Sequence, residues 1–291
     1  MKNLYGTGVA LVTPFKENLE VDFAALDNLV EFQISNKVEY LVLLGTTAET
    51  PTLTKEEQQL VVDRIVKANR DRLPLVLGMG SNDTASLADQ IKKVDPKKFE
   101  AILSVSPYYN RPTQEGIYQH FKALSSASKL PIVMYNIPYR TGTNMEPDTV
   151  FRLANEFENI AGIKEAAGNF DQVLILLNGR PKDFMVISGE DSLALSLVLA
   201  GGAGVISVMG QGLADFSEMI RLGMKQMPKE GFDKFNRILP GIQLIFKEGN
   251  PAGIKAMLHH KGICKPYVRL PLVKASNELQ KKISTFVEVY K

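Results

Sequence analysis

Short apolar runs recur along the chain at Val9–Val12, Tyr40–Leu44, Leu75–Leu77, Ala101–Val105, Ile132–Tyr135, Ile160–Lys164, Phe184–Ser188 and Gly204–Val208. Runs of that length bounded by turn residues predict strands. Amphipathic stretches between them predict helices over Asp22–Ser35, Lys55–Ala68, Thr84–Lys93, Gln114–Ala127, Pro147–Phe157, Phe170–Leu177, Ser192–Ala200 and Leu213–Lys225. Thr54 with Glu57 makes a capping box, and Pro147 suits a first helical position. Strand and helix alternate throughout, which predicts an α/β chain folded as a (β/α)8 TIM barrel over residues 1–225. Residues 226–291 predict a C-terminal helical domain of three helices, Lys229–Phe246, Pro251–Lys261 and Val273–Val289, with breaks at Pro240, Pro251 and Pro266. A doubly wound open sheet also alternates in this way and is the competing architecture. In both folds ligands bind at the carboxyl ends of the strands.

Composition narrows the ligand. Thirty-four basic against 32 acidic side chains leave a net charge of +2, and no basic run interleaves with aromatics, so a small molecule is expected rather than a nucleic acid. The first residues, Met1 to Gly6, lack an apolar segment of signal length, and no apolar run is long enough to span a bilayer, so a cytoplasmic protein is expected. The single cysteine, Cys264, excludes an internal disulfide framework and reads as a bland tail residue. His120, His259 and His260 do not have metal-ligand spacing, and no GxxxxGK[ST] or GxGxxG follows a strand. Zinc and nucleotide chemistry are thereby disfavoured.

Lys164 closes the run Ile160-Ala161-Gly162-Ile163, placing an amine at the carboxyl end of a buried strand. Side chains alternate along a strand, so Gly162 shares a face with Lys164 and leaves room beneath it, while Glu165 faces the other way. A lysine attacks a carbonyl as the free base, which an apolar pocket favours by desolvation. Pairing with Glu165 is the plainer alternative. The residues after the other strands include Gly45-Thr46-Thr47, Ser106-Pro107-Tyr108-Tyr109, Tyr135, Arg140 and Ser188-Gly189-Glu190-Asp191. Imine chemistry needs a lysine, hydroxyls to move protons, and N–H or cationic donors to hold carboxylates; this set supplies each. Gly45-Thr46-Thr47 has the form of an anion nest or of a plain turn. Tyr135 reads as a proton relay or a core tyrosine, Tyr108 and Tyr109 as site or surface aromatics, and Arg140 as a carboxylate clamp or a solvated loop arginine.

The motifs GTTAET, SPYYNRP, YNIPYRTG, GIKE and SGED resemble the dihydrodipicolinate synthase family of pyruvate-dependent class I aldolases, from about residue 4 to residue 275. That resemblance implies a lyase of lysine biosynthesis through diaminopimelate, condensing pyruvate with L-aspartate 4-semialdehyde. It implies that Lys164 forms the Schiff base and that Thr46, Tyr135 and Tyr109 relay protons, Tyr109 reaching in from a neighbouring subunit. Thr47 would hold the pyruvate carboxylate, Arg140 the semialdehyde carboxylate, and Gly189 and Ile206 would line the pyruvate pocket. No metal or nucleotide cofactor is needed, and the family assembles as a homotetramer, a dimer of dimers.

Ala48 stands where the family pattern has glycine. Thr50, Asn82 and Tyr108 match the pocket that binds lysine in inhibited members. However, Lys55, Gln58 and Ser86 replace two histidines and a glutamate there, so weak or absent lysine inhibition is expected. Two other functions compete: a lyase of N-acetylneuraminate or 2-keto-3-deoxy sugar acids, and a non-catalytic keto-acid-binding barrel.

Overall fold

In the computed structural model, which describes residues 4–290, eight parallel strands close into a barrel with each strand paired to its sequence neighbours and the last to the first. Residues 1–3 and 291, where the expected barrel and helical domain begin and end, lie outside the described residues. The strands are β1 Gly6–Ala10, β2 Tyr40–Leu43, β3 Leu75–Gly78, β4 Ala101–Val105, β5 Ile132–Asn136, β6 Ile160–Glu165, β7 Met185–Ser188 and β8 Gly204–Ser207. Closure excludes the open sheet. Helices α1 Phe23–Ser35, α2 Lys55–Asn69, α3 Thr84–Ile91, α4 Gln114–Ala127, α5 Pro138–Thr141, α6 Pro147–Glu156, α7 Phe170–Gly179, α8 Ala194–Leu199 and α9 Ala214–Met224 follow the strands. The chain ends with α10 Pro228–Phe246, α11 Ala252–His260 and α12 Asn277–Val289.

Local chemistry sets several of these boundaries. Thr54 accepts from the Glu57 N–H at 3.1 Å while the Glu57 carboxylate accepts from the Thr54 N–H at 3.0 Å, completing the expected capping box. Pro147 occupies the first turn of α6. Three expectations need correction. β1 begins at Gly6, three residues before the expected Val9, because neighbouring backbone and ring atoms lie against its glycines: a Cβ on Gly8 would stand 2.1 Å from the Tyr40 ring. The last helix starts at Asn277 rather than Val273, where Ser276 caps the Leu279 N–H and is itself held by Glu248. Pro240 lies within α10 instead of breaking it, in a stretch where the adjacent Gly241 packs closely on Met209 and Phe286.

Two apolar clusters divide the core. One lies between barrel and helices; the other fills the barrel with inward side chains such as Tyr40, Val42, Leu103, Val133 and Met185. Each fully buried Leu, Ile or Met among them contributes about 1.5–3 kcal/mol by leaving water. The filled interior forces ligands to the barrel's rim. Cys264 is buried against the helical core rather than in a peripheral tail, and burial pushes its thiol up to about 11. No helix among the described residues is long and apolar enough to cross a membrane.

Candidate active site

Lys164, the penultimate residue of β6, projects into the barrel mouth, only 6% exposed. Its register partners are Tyr135 on β5 and Ile187 on β7, both members of the interior cluster. The amine lies 4.2 Å from the centroid of the Tyr135 ring, so a phenol borders the space where an adduct would form. Among the described residues Lys164 makes no ion pair within 4 Å and no side-chain hydrogen bond. The alternative pairing with Glu165 fails: that carboxylate faces outward and accepts from Asn136, Gln172 and the Ala167 N–H. The room that Gly162 was expected to leave is taken by Met185 of β7, whose Cβ would stand 2.9 Å from an added Cβ.

Glycine at 189 has a sharper purpose. A Cβ there would stand 2.5 Å from the Ala166 Cβ and 3.0 Å from the Lys164 Cε, so any side chain would press on the stem of the amine. Ile206, buried on β8, belongs to the same interior cluster as Tyr135. Beyond Gly189 the chain carries Glu190 and Asp191. Burial pushes both carboxyls above the usual carboxylate range, and the Lys164 charge works against that shift at each. Asp191 is buried and accepts from the N–H groups of Val208 and Met209 at 3.2 and 2.7 Å, tying the β7 loop to the turn after β8. The Arg140 charge on α5 also opposes the Glu190 shift, which puts that guanidinium on the same side of the mouth.

After β2 the chain turns sharply through a 3-10 turn, Thr46–Ala48, and leaves it at Glu49, whose φ of 56° is left-handed. The opening N–H groups of such a turn have no partner within it and remain as donors at the carboxyl end of β2. Thr46 is exposed there, while Thr47 is buried and its hydroxyl accepts from the Asn250 amide at 2.9 Å. The mouth therefore combines an amine, a phenol, hydroxyls, backbone donors and a guanidinium, a set suited to imine chemistry on a carboxylated ketone.

Comparison with known proteins agrees with that chemistry. The model of the dihydrodipicolinate synthetase family matches residues 3–289. The chain belongs to the dihydrodipicolinate synthetase family. The 4-hydroxy-tetrahydrodipicolinate synthase of Flavobacterium psychrophilum is 50% identical over 289 residues, covering 99% of each chain. Dihydrodipicolinate synthase from Aquifex aeolicus superposes with a TM-score of 0.94 at 36% identity, covering 98% of each chain. The chloride-inhibited dihydrodipicolinate synthase of Acinetobacter baumannii, solved in complex with pyruvate, superposes with a TM-score of 0.95 at 34% identity, covering 99% of each chain. As a member of the dihydrodipicolinate synthetase family the chain is an enzyme of the lyase class.

Within this family frame, the fold gathers Lys164, Tyr135, Thr47, Gly189 and Ile206 at the mouth, with Thr46 and Arg140 on its exposed rim. It does not bury Tyr109 there. That ring is 89% exposed and its backbone has a left-handed φ of 73°, directing it away from the body of its own chain. The expected regulatory positions are only partly ready for an amine. Asn82 donates to the Tyr108 carbonyl at 3.2 Å, but the Gln58 amide nitrogen donates to the Thr50 and Leu53 carbonyls, and Ser86 accepts from Gln90. Reading the chain by strand ends missed Lys255 on α11 and Asn250 two residues before that helix, which reach Glu49 and Thr47; nothing in their local spacing signals those contacts.

Proposed function

We propose that this chain condenses pyruvate with L-aspartate 4-semialdehyde to give 4-hydroxy-tetrahydrodipicolinate, the activity of a 4-hydroxy-tetrahydrodipicolinate synthase in lysine biosynthesis through diaminopimelate. The observation that carries this reading is the buried Lys164 amine, with no acid at ion-pair distance among the described residues and set against the Tyr135 ring. The Lys164 Nζ adds to the pyruvate ketone carbon, and loss of water from the carbinolamine gives the imine. The imine withdraws electrons from the methyl carbon, a proton leaves, and the resulting enamine attacks the aldehyde carbon of the semialdehyde. The amine of the new carbon chain then adds to the imine carbon and displaces Lys164.

Tyr135, Thr46 and a neighbouring subunit's copy of Tyr109 relay the protons. Thr47 and the turn's N–H groups hold the pyruvate carboxylate, Arg140 holds the semialdehyde carboxylate, and Gly189 and Ile206 shape the pyruvate side. No metal or other cofactor takes part, because the covalent bond is to the substrate itself. The outward Tyr109 and the exposed Leu270, 75% accessible, support contact with further copies of the chain; the proposed enzyme works as a homotetramer built from tight dimers, in the cytoplasm.

Incubation with pyruvate and borohydride followed by peptide mass mapping tests the reading. A reduced pyruvate adduct on Lys164 is expected, and turnover should require L-aspartate 4-semialdehyde. An unmodified Lys164 in folded protein would instead favour a keto-acid-binding barrel. Pyruvate release from N-acetylneuraminate or a 2-keto-3-deoxy sugar acid would identify the competing lyase.

A further inference from the structure

We propose that Asn250, in the helical region, is a positioning residue that aims the Thr47 hydroxyl as a hydrogen-bond donor at the substrate carboxylate. The inference rests on the reading of Thr47 as the group that holds pyruvate. Asn250 Nδ2 donates to Thr47 Oγ1 at 2.9 Å across 203 residues of chain, and Thr47 is 2% exposed. A threonine hydroxyl has one hydrogen to give and two lone pairs to receive. With a lone pair taken by the amide, its hydrogen remains for an anion in the mouth. The flipped amide would accept that hydrogen and silence the donor. The observed orientation turns the amide NH2 toward Thr47 and leaves the buried Oδ1 without a partner among the described residues.

The segment that carries Asn250 also fixes the turn that carries Thr47. Lys255, on α11, donates to Glu49 at 2.5 Å and to the Tyr267 carbonyl at 2.8 Å, and the Arg269 N–H donates to the other Glu49 oxygen at 2.9 Å. The side chains of Lys255 and Glu49 are 0% and 1% exposed. From the barrel side, the Thr13 hydroxyl donates to the Ala48 carbonyl at 2.7 Å. Thr47 is therefore followed directly by two anchored residues, Ala48 and Glu49. Its backbone is held by the barrel and by the Lys255 pair, which leaves the hydroxyl rotor as its remaining freedom, and Asn250 sets that rotor.

The full-length protein in its native assembly provides the test, with kcat and KM measured separately for pyruvate and the semialdehyde. Asn250→Ala should raise the KM for pyruvate about tenfold, the scale of one hydrogen bond. Asn250→Asp keeps the shape but accepts the Thr47 hydrogen and adds a charge of the substrate's own sign, so about a hundredfold rise is expected. For both variants kcat and the KM for the semialdehyde should stay within about twofold. The ratio of variant to wild-type pyruvate KM for Asn250→Asp should shrink as pH falls, because the protonated acid regains an O–H donor. Should Asn250→Ala fail to fold, the isosteric Asn250→Asp carries the test alone through that pH-dependent ratio. Unchanged pyruvate KM in folded variants, or a loss shared equally by both substrates and independent of pH, overturns the proposal. Borohydride trapping of the wild type separates the two levels: an adduct on Lys164 with unaffected variants removes the role of Asn250 alone, whereas no wild-type adduct removes the underlying reading and this one with it.

Discussion

Lys164 in the barrel mouth and Lys255 on α11 are both withdrawn from water, 6% and 0% exposed, yet their surroundings differ in kind. Lys255 is enclosed by a carboxylate, a carbonyl and the face of Phe15 4.2 Å away. Burial still draws its ammonium below the usual lysine range, and the Glu49 charge and hydrogen bond oppose that shift. Lys164 meets an aromatic face and a glycine but no acid within ion-pair distance among the described residues. A buried amine with its hydrogen bonds filled is a structural tie. One whose hydrogen bonds are unfilled is available to a substrate.

The largest expected effect sharpens that contrast. Lys164→Met should reduce turnover by at least about a thousandfold, about 4 kcal/mol of barrier, while urea unfolding stays within about 1 kcal/mol of wild type because no acid is orphaned. A strongly destabilised Lys164→Met would mean that the amine is structural after all. Lys255→Met should behave in the opposite way, losing about 3–5 kcal/mol of stability by leaving Glu49 buried without its partner. Adding Glu49→Gln should recover part of that loss in the same unfolding assay; no recovery would show that packing rather than charge pairing dominates there.

His120 extends the comparison to a buried base whose ring is bonded to a neutral group, the Thr84 hydroxyl at 2.8 Å. Burial draws it from 6.5 down to about 4. Between those values the unfolded chain binds a proton that the folded chain does not, so stability falls as pH drops through this window. Acidification from pH 7 to pH 5 should therefore cost about 2 kcal/mol through this group, and His120→Gln should flatten the pH profile of urea unfolding. An equally steep profile in the variant would assign the acid sensitivity elsewhere. The smallest expected change concerns a free amine. Millimolar L-lysine should leave the initial rate nearly unaltered, since Lys55, Gln58 and Ser86 offer its ammonium no carboxylate. Strong inhibition in a rate assay would place the ligand's acid partner on another surface.

Much of the barrel was legible because β2 to β8 are written as apolar runs broken by turn chemistry. β1 was misplaced by three residues because Gly6-Thr7-Gly8 has almost no apolar side chain to announce it. Its strand identity comes from neighbours: an added Cβ on Gly204 would stand 1.9 Å from the Gly6 carbonyl oxygen, and Tyr40 lies over Gly8. The sequence pattern starts the last helix too early because Val273 and Ala275 look periodic, whereas the Ser276 cap and its bonds to Glu248 mark the actual start. In the site, alternation along β6 was enough to separate Lys164 from Glu165. It could not say what would fill the space at Gly162, since Met185 arrives from a different strand.

The sequence by itself determined the alternation of strands and helices, the end of β6 as the place of a buried amine, and the motifs that mark the family. Each depends on neighbours a few residues apart, where side-chain period and turn chemistry act directly. Only the tertiary structure decided which buried lysine is paired. Glu49 and Lys255 are 206 residues apart, and Thr47 and Asn250 are 203. Contacts across such separations are made by barrel closure and by the docking of α11 behind the GTT turn, and no local spacing encodes the geometry of that docking.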